Sequence, residues 1–554
     1  MPFFDTTQPA ALNLSWKLML LGEASNLDQT GIKKYTDKYG LDGMGGMADA
    51  DGKLYVDKDK TLEGWRPLGA DKNPTDRASL QIEKLKILEK LNLVALDAKG
   101  DLNKIETKKL LAAAGIDESL LGDKGKNGKY VSIVDDPAQL LSANGFFRSF
   151  DPSGKILAPA NAAEIKIFAK YENGKIASLS VVGLGSNSAA DLVELDTIAD
   201  LSLCRRYAHV LNGLCNLAKT AGLSGKDISF EGYSMGGGLT NSFYTLRKEL
   251  AGGFFSDSLY FGFDSPVLSP GDGSVGLYNF AAENDPVTGL FNHGRFNQIA
   301  TLKGFRETVA NLRSPDISVL RNLGNILHIL PSVMWHLGIN LFANDMSTFL
   351  PAFLKDSKIQ DVVAKVLKID KKTFNDFINR YPEIFDQKKP VIQAGTNNLV
   401  IYDDAYHTQG VPGGGVNNAI NSIANFFNVQ LNSKAVASLG WLTHMTMVFS
   451  NPVARILSSG FYQQMDRNSV VVLSSLSKGG KSLQGKVWVE DKKTPTSDHY
   501  GAAAFILGTD ENDLIRGGRG DDAIETLSGN DYIDLSSAAG LEHSKGTDMV
   551  AKWG

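Results

Sequence analysis

The chain has 554 residues, 43% of them hydrophobic and 21% charged, which is enough for a sizeable core and more than one domain. Its formal charge of −5 leaves no basic footprint and argues against nucleic acid as a partner. The two cysteines, Cys204 and Cys215, make no disulfide framework: on one helix they would lie about 16 Å apart, so buried free thiols are expected.

The opening "MPFFDTTQPAALNLSWKLMLLGEAS" lacks a basic start before a long apolar run, and nothing downstream reads as a membrane span. The expectation is a chain that stays in the cytoplasm or leaves by a route that ignores the N-terminus. "DADGKLYVDKD" (49–59) has the look of a calcium loop, but Met47 and Lys58 stand where the first and twelfth EF-hand ligands belong, so it reads as an Asp/Gly turn. "ASLQIEKLKILEKLNLVALDAKGDLNKIETKKLLAAAGI" has helical periodicity broken by a glycine turn.

From 164 the pattern changes. "EIKIFAKYENGKIASLSVVGLGS" predicts a hairpin turning at Asn173-Gly174, followed by a helical stretch closed by Gly222. "KDISFEGYS" is a short strand running into glycines, and "MGGGLTNSFYTLRKEL" resumes as helix. The spacing Gly232-x-Ser234-x-Gly236 arises easily by chance in a chain with 56 glycines. Strand, tight turn and helix around it are what a nucleophile elbow requires, and such a turn is expected to lift the serine Oγ into the open. "DSLYFGFDSP" and "VGLYNFAAENDP" follow as apolar strands ending in polar loops, as in an open parallel sheet.

Residues 290–391 are helix-like and contain an apolar stretch from Ile317 to Phe342, broken by Asn325, His328 and Pro331. Two readings stand for this insert, a cap over a pocket and an extra packed layer. The tail carries a repeat: "GTDENDLIR", "GGRGDDAIE", "TLSGNDYID". Asp513, Asp522 and Asp531 recur every nine residues, each with an isoleucine two places on: Ile515, Ile524 and Ile533. This is the GGxGxDxUx pattern of calcium-binding parallel β-rolls, in which glycines permit the turns, aspartates offer hard oxygen and the aliphatic side chain points inward. Two nines make one turn, so the first and third repeats should stack and bring Asp513 and Asp531 together; the third is degenerate at Thr526-Leu527.

A serine elbow needs a base, and the base an orienting acid. In α/β-hydrolases the order is Ser, acid, His, which makes Asp285 in "AAENDPV" a candidate acid, with a turn-capping role as the alternative. Downstream, His328 and His336 lie on an apolar face, while His407, His444 and His499 stay open as bases on periodicity alone.

Taken together, "GLSGKDISFEGYSMGG", "GGFFSDSLY", "ENDPV", "ILSSGFYQQMDRNSVVVLSSLS" and "FILGTDENDLIRGGRGDD" resemble the bacterial RTX lipases that type I (ABC) exporters secrete, the true-lipase subgroup whose relatives include polyurethanase-type esterases. The likeness runs over about 164–290 and 395–534. It implies an α/β-hydrolase domain over 1–495, with the 290–391 insert as cap or lid, and a short calcium-binding parallel β-roll and tail over 500–554. It implies Ser234 as nucleophile, Asp285 as acid and His444 as base. Met235 and the Leu184–Ser186 stretch, with Ser186 as the donor named, fall at the oxyanion hole. Calcium is implied at Asp513, Asp522 and Asp531, and at a lid helix through Asp196 and Asp200, one turn apart on a helix face. On this reading tail calcium governs stability and lid calcium governs activity.

Tyr233 and Met235 depart from the family's usual histidine and leucine, and the first lid is shorter. The implied protein is a secreted, extracellular carboxylic ester hydrolase working at a lipid–water interface, first a triacylglycerol lipase, alternatively a phospholipase A1 or broad esterase. A calcium-dependent binding module with a degenerate hydrolase body is the reading from another class. The type I exporter is the implied partner, its signal resting on the short tail ending "DMVAKWG".

Overall fold

A computed structural model describes residues 9–26, 60–70, 83–149, 164–185, 197–282, 398–403, 446–474, 504–534 and 549–551, apart from short gaps inside these stretches. The 290–391 insert and the 49–59 loop lie outside the described residues. The chain divides into two compact units, Ala11–Leu277 and Tyr278–Gly554, the second taking in the first ten residues.

The first unit opens with helix α1 (Pro9–Asn26), whose residues Leu18 to Leu21 are fully or almost fully buried. Strand β1 (Trp65–Pro67), helices α2 (Lys84–Lys90) and α3 (Lys104–Ala113), and a small hairpin of β2 (Leu121–Lys124) and β3 (Tyr130–Ser132) follow. The glycine turn between the two helices is present, with Gly100 at φ +84°. Asn103 caps α3 by accepting a hydrogen bond from the Glu106 amide.

Strands β4 (Ile165–Glu172) and β5 (Lys175–Gly183) form the expected hairpin. Asn173 at φ 50° and Gly174 at φ 78° supply the two left-handed residues of a type I′ turn, which matches the twist of the strands. Helices α4 (Ser202–Arg205) and α5 (Ala208–Thr220) come next, and Gly222 at φ +77° ends the run. Cys204 and Cys215 are buried free thiols as expected, although they lie on two helices, α4 and α5, and not on one.

Strand β6 (Ile228–Tyr233), helix α6 (Met235–Leu246) and strand β7 (Leu259–Phe263) complete this unit. Its strand order is β1-β4-β5-β6-β7, antiparallel up to β5 and parallel from β5 to β7. A parallel strand covered on both faces is buried along its length, and β6 is so although its sequence, ISFEGY, includes Ser229 and Glu231. Phe230 stacks on Tyr260 at 4.8 Å between ring centroids and meets Phe243 of α6 at 5.5 Å, so aromatic packing fixes α6 on the sheet.

The second unit has strands β8 (Leu277–Ala282), β9 (Asn398–Asp403), helix α7 (Thr446–Ser458), then β10 (Val470–Leu473), β11 (Ala504–Leu507), β12 (Leu514–Arg516), β13 (Ala523–Glu525), β14 (Tyr532–Asp534) and β15 (Met549–Ala551). Its sheet runs β8-β9-β10-β11-β13-β15, parallel throughout. Strands β12 and β14 pair separately, also in parallel.

Every pairing inside the repeat joins residues eighteen apart: Ile506 with Ile524, Ile515 with Ile533. Two nines therefore make one turn, as the repeat predicts. Ile506, Ile515 and Ile524 are fully buried with Val472, and Ile533 packs against them. Among the described residues no helix is long and apolar enough to cross a membrane.

The degenerate third repeat keeps its turn at a local cost. Leu527 occupies the left-handed region, φ 58°, where the repeat pattern has glycine. An L-residue there costs about 1–2 kcal/mol, part of which glycine gives back through the entropy of the unfolded chain. Leu527→Gly is therefore expected to stabilise the protein by roughly 0.5–1 kcal/mol, read as a higher urea midpoint at unchanged slope.

Candidate active site

The site is built where β6 stops. Ser234 follows Tyr233 with φ 54° and ψ −123°, a left-handed conformation outside both strand and helix, and α6 starts at the next residue. A non-glycine residue held there is stored strain that surrounding structure must over-determine. Two hydrogen bonds fix it: the Ser234 amide donates to the Phe263 carbonyl at 2.8 Å, and the Gly238 amide donates to the Ser234 carbonyl at 3.0 Å.

The glycines permit the backbones to touch. A Cβ on Gly232 would stand 2.2 Å from the Gly236 carbonyl oxygen, and one on Gly236 would stand 2.1 Å from the Gly183 oxygen. On Gly237 it would meet Ser265 Oγ at 2.4 Å. The end of β5, the elbow and the first turn of α6 are thus packed main chain on main chain.

The polar side chains of this buried helix find partners: Thr240 donates to the Gly236 carbonyl, Asn241 to the Gly237 carbonyl, and Ser242 to the Ile198 carbonyl. Ser234 keeps only 6% of its surface exposed, which corrects the expectation of an Oγ standing in the open: the tight turn presents the serine within a covered site. Met235 is fully buried at the first helical position, where a main-chain N–H faces out of the helix end and suits an anion.

The neighbouring loop holds a group the sequence reading passed over. The Gly185 amide donates to Glu23 Oε1 at 2.7 Å, across 162 residues. Glu23 is carried on α1, whose Gly22 lies so close to β5 that a Cβ would meet Val182 Cγ1 at 2.6 Å. Burial pushes the Glu23 carboxyl up to about 7, with the Gly185 amide pulling the other way. Glu231, inside β6 and bonded by Ser180 Oγ, is pushed up by burial to about 8. The signal available in the sequence was an acid inside an apolar run, as in "WKLMLLGEAS" and "ISFEGY".

Asp264 was also missed. It is fully buried at φ 46°, one residue after the Phe263 carbonyl that holds the Ser234 amide. His209, on α5, is buried and held neutral, its pKa lowered to about 4 by burial. Ser234 and Met235 are thus brought together with the end of β5. Ser186, Asp285, His444, Asp196 and Asp200 lie outside the described residues.

The repeat makes a second polar centre. Asp513 is fully buried and accepts from the Thr509 amide at 2.7 Å and the Thr509 hydroxyl at 2.8 Å. Its own amide donates to Asp531 Oδ1 at 3.0 Å, so the two aspartates stack as the spacing predicts. Asp522 lies eighteen residues from Ala504, whose amide it accepts at 3.1 Å, so that pair supplies one carboxylate only.

The donor set of the Asp513/Asp531 pair fits a hard cation: Asp531 Oδ2 is buried with no hydrogen-bond partner. Among the described residues no cluster of three or more acidic, histidine or cysteine side chains forms.

Residues 505–537 match the family model described as RTX calcium-binding nonapeptide repeat (4 copies). The chain is 24% identical over 389 residues to a lipase of Pseudomonas fluorescens, covering 67% of this chain and 59% of that one. It is 26% identical over 309 residues to a second lipase of that organism, covering 56% and 45%. The chain thus spans roughly half the length of the curated relatives it matches. The crystal structure of the extracellular lipase LipA from Serratia marcescens superposes with a TM-score of 0.46 at 16% identity, covering 96% of this chain and 64% of that one.

Two outcomes are expected of this geometry. Gly236→Ala should cost about 3 kcal/mol or more, because the added methyl meets main chain that cannot rotate away; a denaturant midpoint measures it. Glu23→Gln tests the buried acid. A carboxyl raised from 4.5 to about 7 binds its proton more tightly folded than unfolded, so its contribution is most favourable below about pH 4.5 and is lost as pH rises towards 7. The variant's Tm, relative to the parent, should therefore climb over that interval and level off above it.

Proposed function

We propose that the chain is a member of the RTX lipase family and a secreted serine carboxylic ester hydrolase, first a triacylglycerol lipase, acting through an acyl-enzyme. The observation that carries the reading is the backbone of Ser234, a left-handed serine between a buried parallel strand and a buried helix. Ser234 Oγ attacks the ester carbonyl carbon while His444 takes its proton, and Asp285 holds the imidazole tautomer. The negative charge on the carbonyl oxygen goes to the Met235 N–H and a second donor at Ser186, each donor contributing about 3 kcal/mol.

Collapse of this intermediate breaks the C–O bond to the alcohol, which leaves with the proton from His444. Water, deprotonated by His444, then attacks the acyl carbon; His444 returns that proton to Ser234 Oγ as the acyl–oxygen bond breaks, and the carboxylic acid leaves and ionises in solvent. Glu23 supports the oxyanion side by holding the loop at Gly185, one residue before Ser186.

Calcium bound at Asp513 and Asp531 neutralises the stacked carboxylates and adds its binding free energy to folding of the roll. Asp196 and Asp200 are proposed to hold a lid helix through a second calcium, and the 290–391 insert to border the acyl pocket. Residues 1–495 make the hydrolase domain and 500–554 the roll and tail. Export through a type I exporter follows the RTX repeat, and the substrate is met at a lipid–water interface.

The burial of Asp264 beside the nucleophile favours a second reading of the acid alone, in which Asp264 rather than Asp285 serves His444. The test is hydrolysis of a soluble short-chain p-nitrophenyl ester by variants shown to be folded. Ser234→Ala and His444→Ala should each lower kcat on the order of 10⁵-fold or more, because triad members act as a unit. An active His444→Ala would remove His444 as base. Asp285→Asn should lose activity; Asp264→Asn losing it in its place moves the acid to the end of β7. Triacylglycerol and phospholipid emulsions then separate lipase from phospholipase A1.

A further inference from the structure

The repeat is not an independent appendage in the second unit. Strand β11, its first strand, pairs in parallel with β10, so the roll extends the same sheet that carries β8 and β9. Helix α7, which begins two residues after His444, is fastened to the roll at its C-terminal end. Arg455, in its last turn, donates through Nη2 to the Leu507 carbonyl at 2.7 Å and the Gly508 carbonyl at 2.6 Å. Just past the helix, Ser459 Oγ and the Gly460 amide both donate to Glu525 Oε2, at 2.7 and 2.9 Å. Glu525 is only 2% exposed, and Ser459 9%.

The polar contacts have an apolar companion. The Phe461 amide donates to Ser459 Oγ at 3.1 Å, and its ring lies 5.7 Å from that of Phe505.

The attachment reaches the calcium aspartates through one peptide group. The Gly508 carbonyl accepts Arg455, and the Thr509 amide of that same peptide donates to Asp513 Oδ2. Asp513 in turn is stacked on Asp531 through its own amide. A peptide unit is planar, so turning its N–H away from Asp513 turns its carbonyl away from Arg455.

We propose that Arg455, Ser459 and Glu525 are positioning residues through which the calcium-loaded roll holds the helix that follows His444 in the chain. This rests on the assignment of His444 above. It departs from the expectation that tail calcium governs stability alone: loss of the roll's calcium should also loosen the base.

The experiment uses the full chain as wild type, Glu525→Gln, Ser459→Ala and Asp513→Asn, each with calcium and with a chelator. Amide hydrogen exchange is followed in peptides over 446–464 and, as internal reference, over 228–246. Kinetics use the soluble short-chain ester. With calcium present, Glu525→Gln should raise exchange over 446–464 and lower kcat, each on the order of tenfold, as expected for a lost hydrogen bond to a buried charge, with KM moving less than about twofold. Ser459→Ala, which keeps the charge and removes one donor, should do the same more weakly.

Asp513→Asn and chelation of the wild type should match Glu525→Gln, and chelation should add little to Glu525→Gln. Unchanged exchange over 446–464 in both Glu525→Gln and Ser459→Ala overturns the proposal. So does chelation that releases 228–246 together with 446–464. If His444→Ala is active while exchange responds as described, the base assignment fails and the attachment stands.

Discussion

The constraint on which the first unit depends is the absence of side chains where β5, β6 and α6 meet. Three main-chain segments approach within the space of one methyl group at Gly183, Gly232 and Gly236. A helix normally stands off a sheet by the length of its side chains, about 10 Å between axis and strand plane. Here three successive glycines, Gly236 to Gly238, follow Met235 in the first turn of α6 and leave that side of the helix nothing to hold it off, and the chain must reverse sharply at Ser234. The left-handed serine is the geometric result of that approach. Its conformational cost is offset by the aromatic packing of Phe230, Phe243 and Tyr260 farther along the same elements.

Burial around this turn also explains why its acids behave unusually. Glu23 and Glu231 lie within apolar surroundings with only one or two donors each, so their neutral forms are favoured well above the ordinary carboxylate range. A neutral acid at Glu23 can accept from the Gly185 amide without placing a full negative charge at the end of β5. The environment, not the residue type, decides which role a carboxyl plays here, as it does between Glu23 and the doubly hydrogen-bonded Asp513.

Much of this was legible in the residues. The Asn-Gly turn, the strand–serine–helix passage and the ninefold phase each bind sequence directly to backbone geometry: left-handed turn residues, close approach, and a side-chain direction repeated every turn. What escaped was contact across long sequence separations. Nothing in "WKLMLLGEAS" names Gly185 as the partner of Glu23, 162 residues away, and nothing in "AIETLSG" distinguishes Glu525 from a solvated acid until Ser459 and Gly460 arrive from 66 and 65 residues upstream. Likewise the covered setting of Ser234 depends on what packs over the turn, which periodicity does not encode.

The eighteen-residue turn of the roll has a consequence for how such a tail can change length. Positions 504, 513, 522 and 531 are equivalent in phase, yet alternate between two edges, and only the 513/531 edge carries two aspartates because 504 is alanine. Inserting or deleting a single nonapeptide upstream of Glu525 would exchange the edges, turning Glu525 to the far side of the roll from Ser459 and re-pairing every aspartate. A change of two nonapeptides would leave both intact. The tail is therefore free to drift in steps of a whole turn and barred from half turns, a parity rule that should appear as even-numbered length differences among chains sharing this attachment.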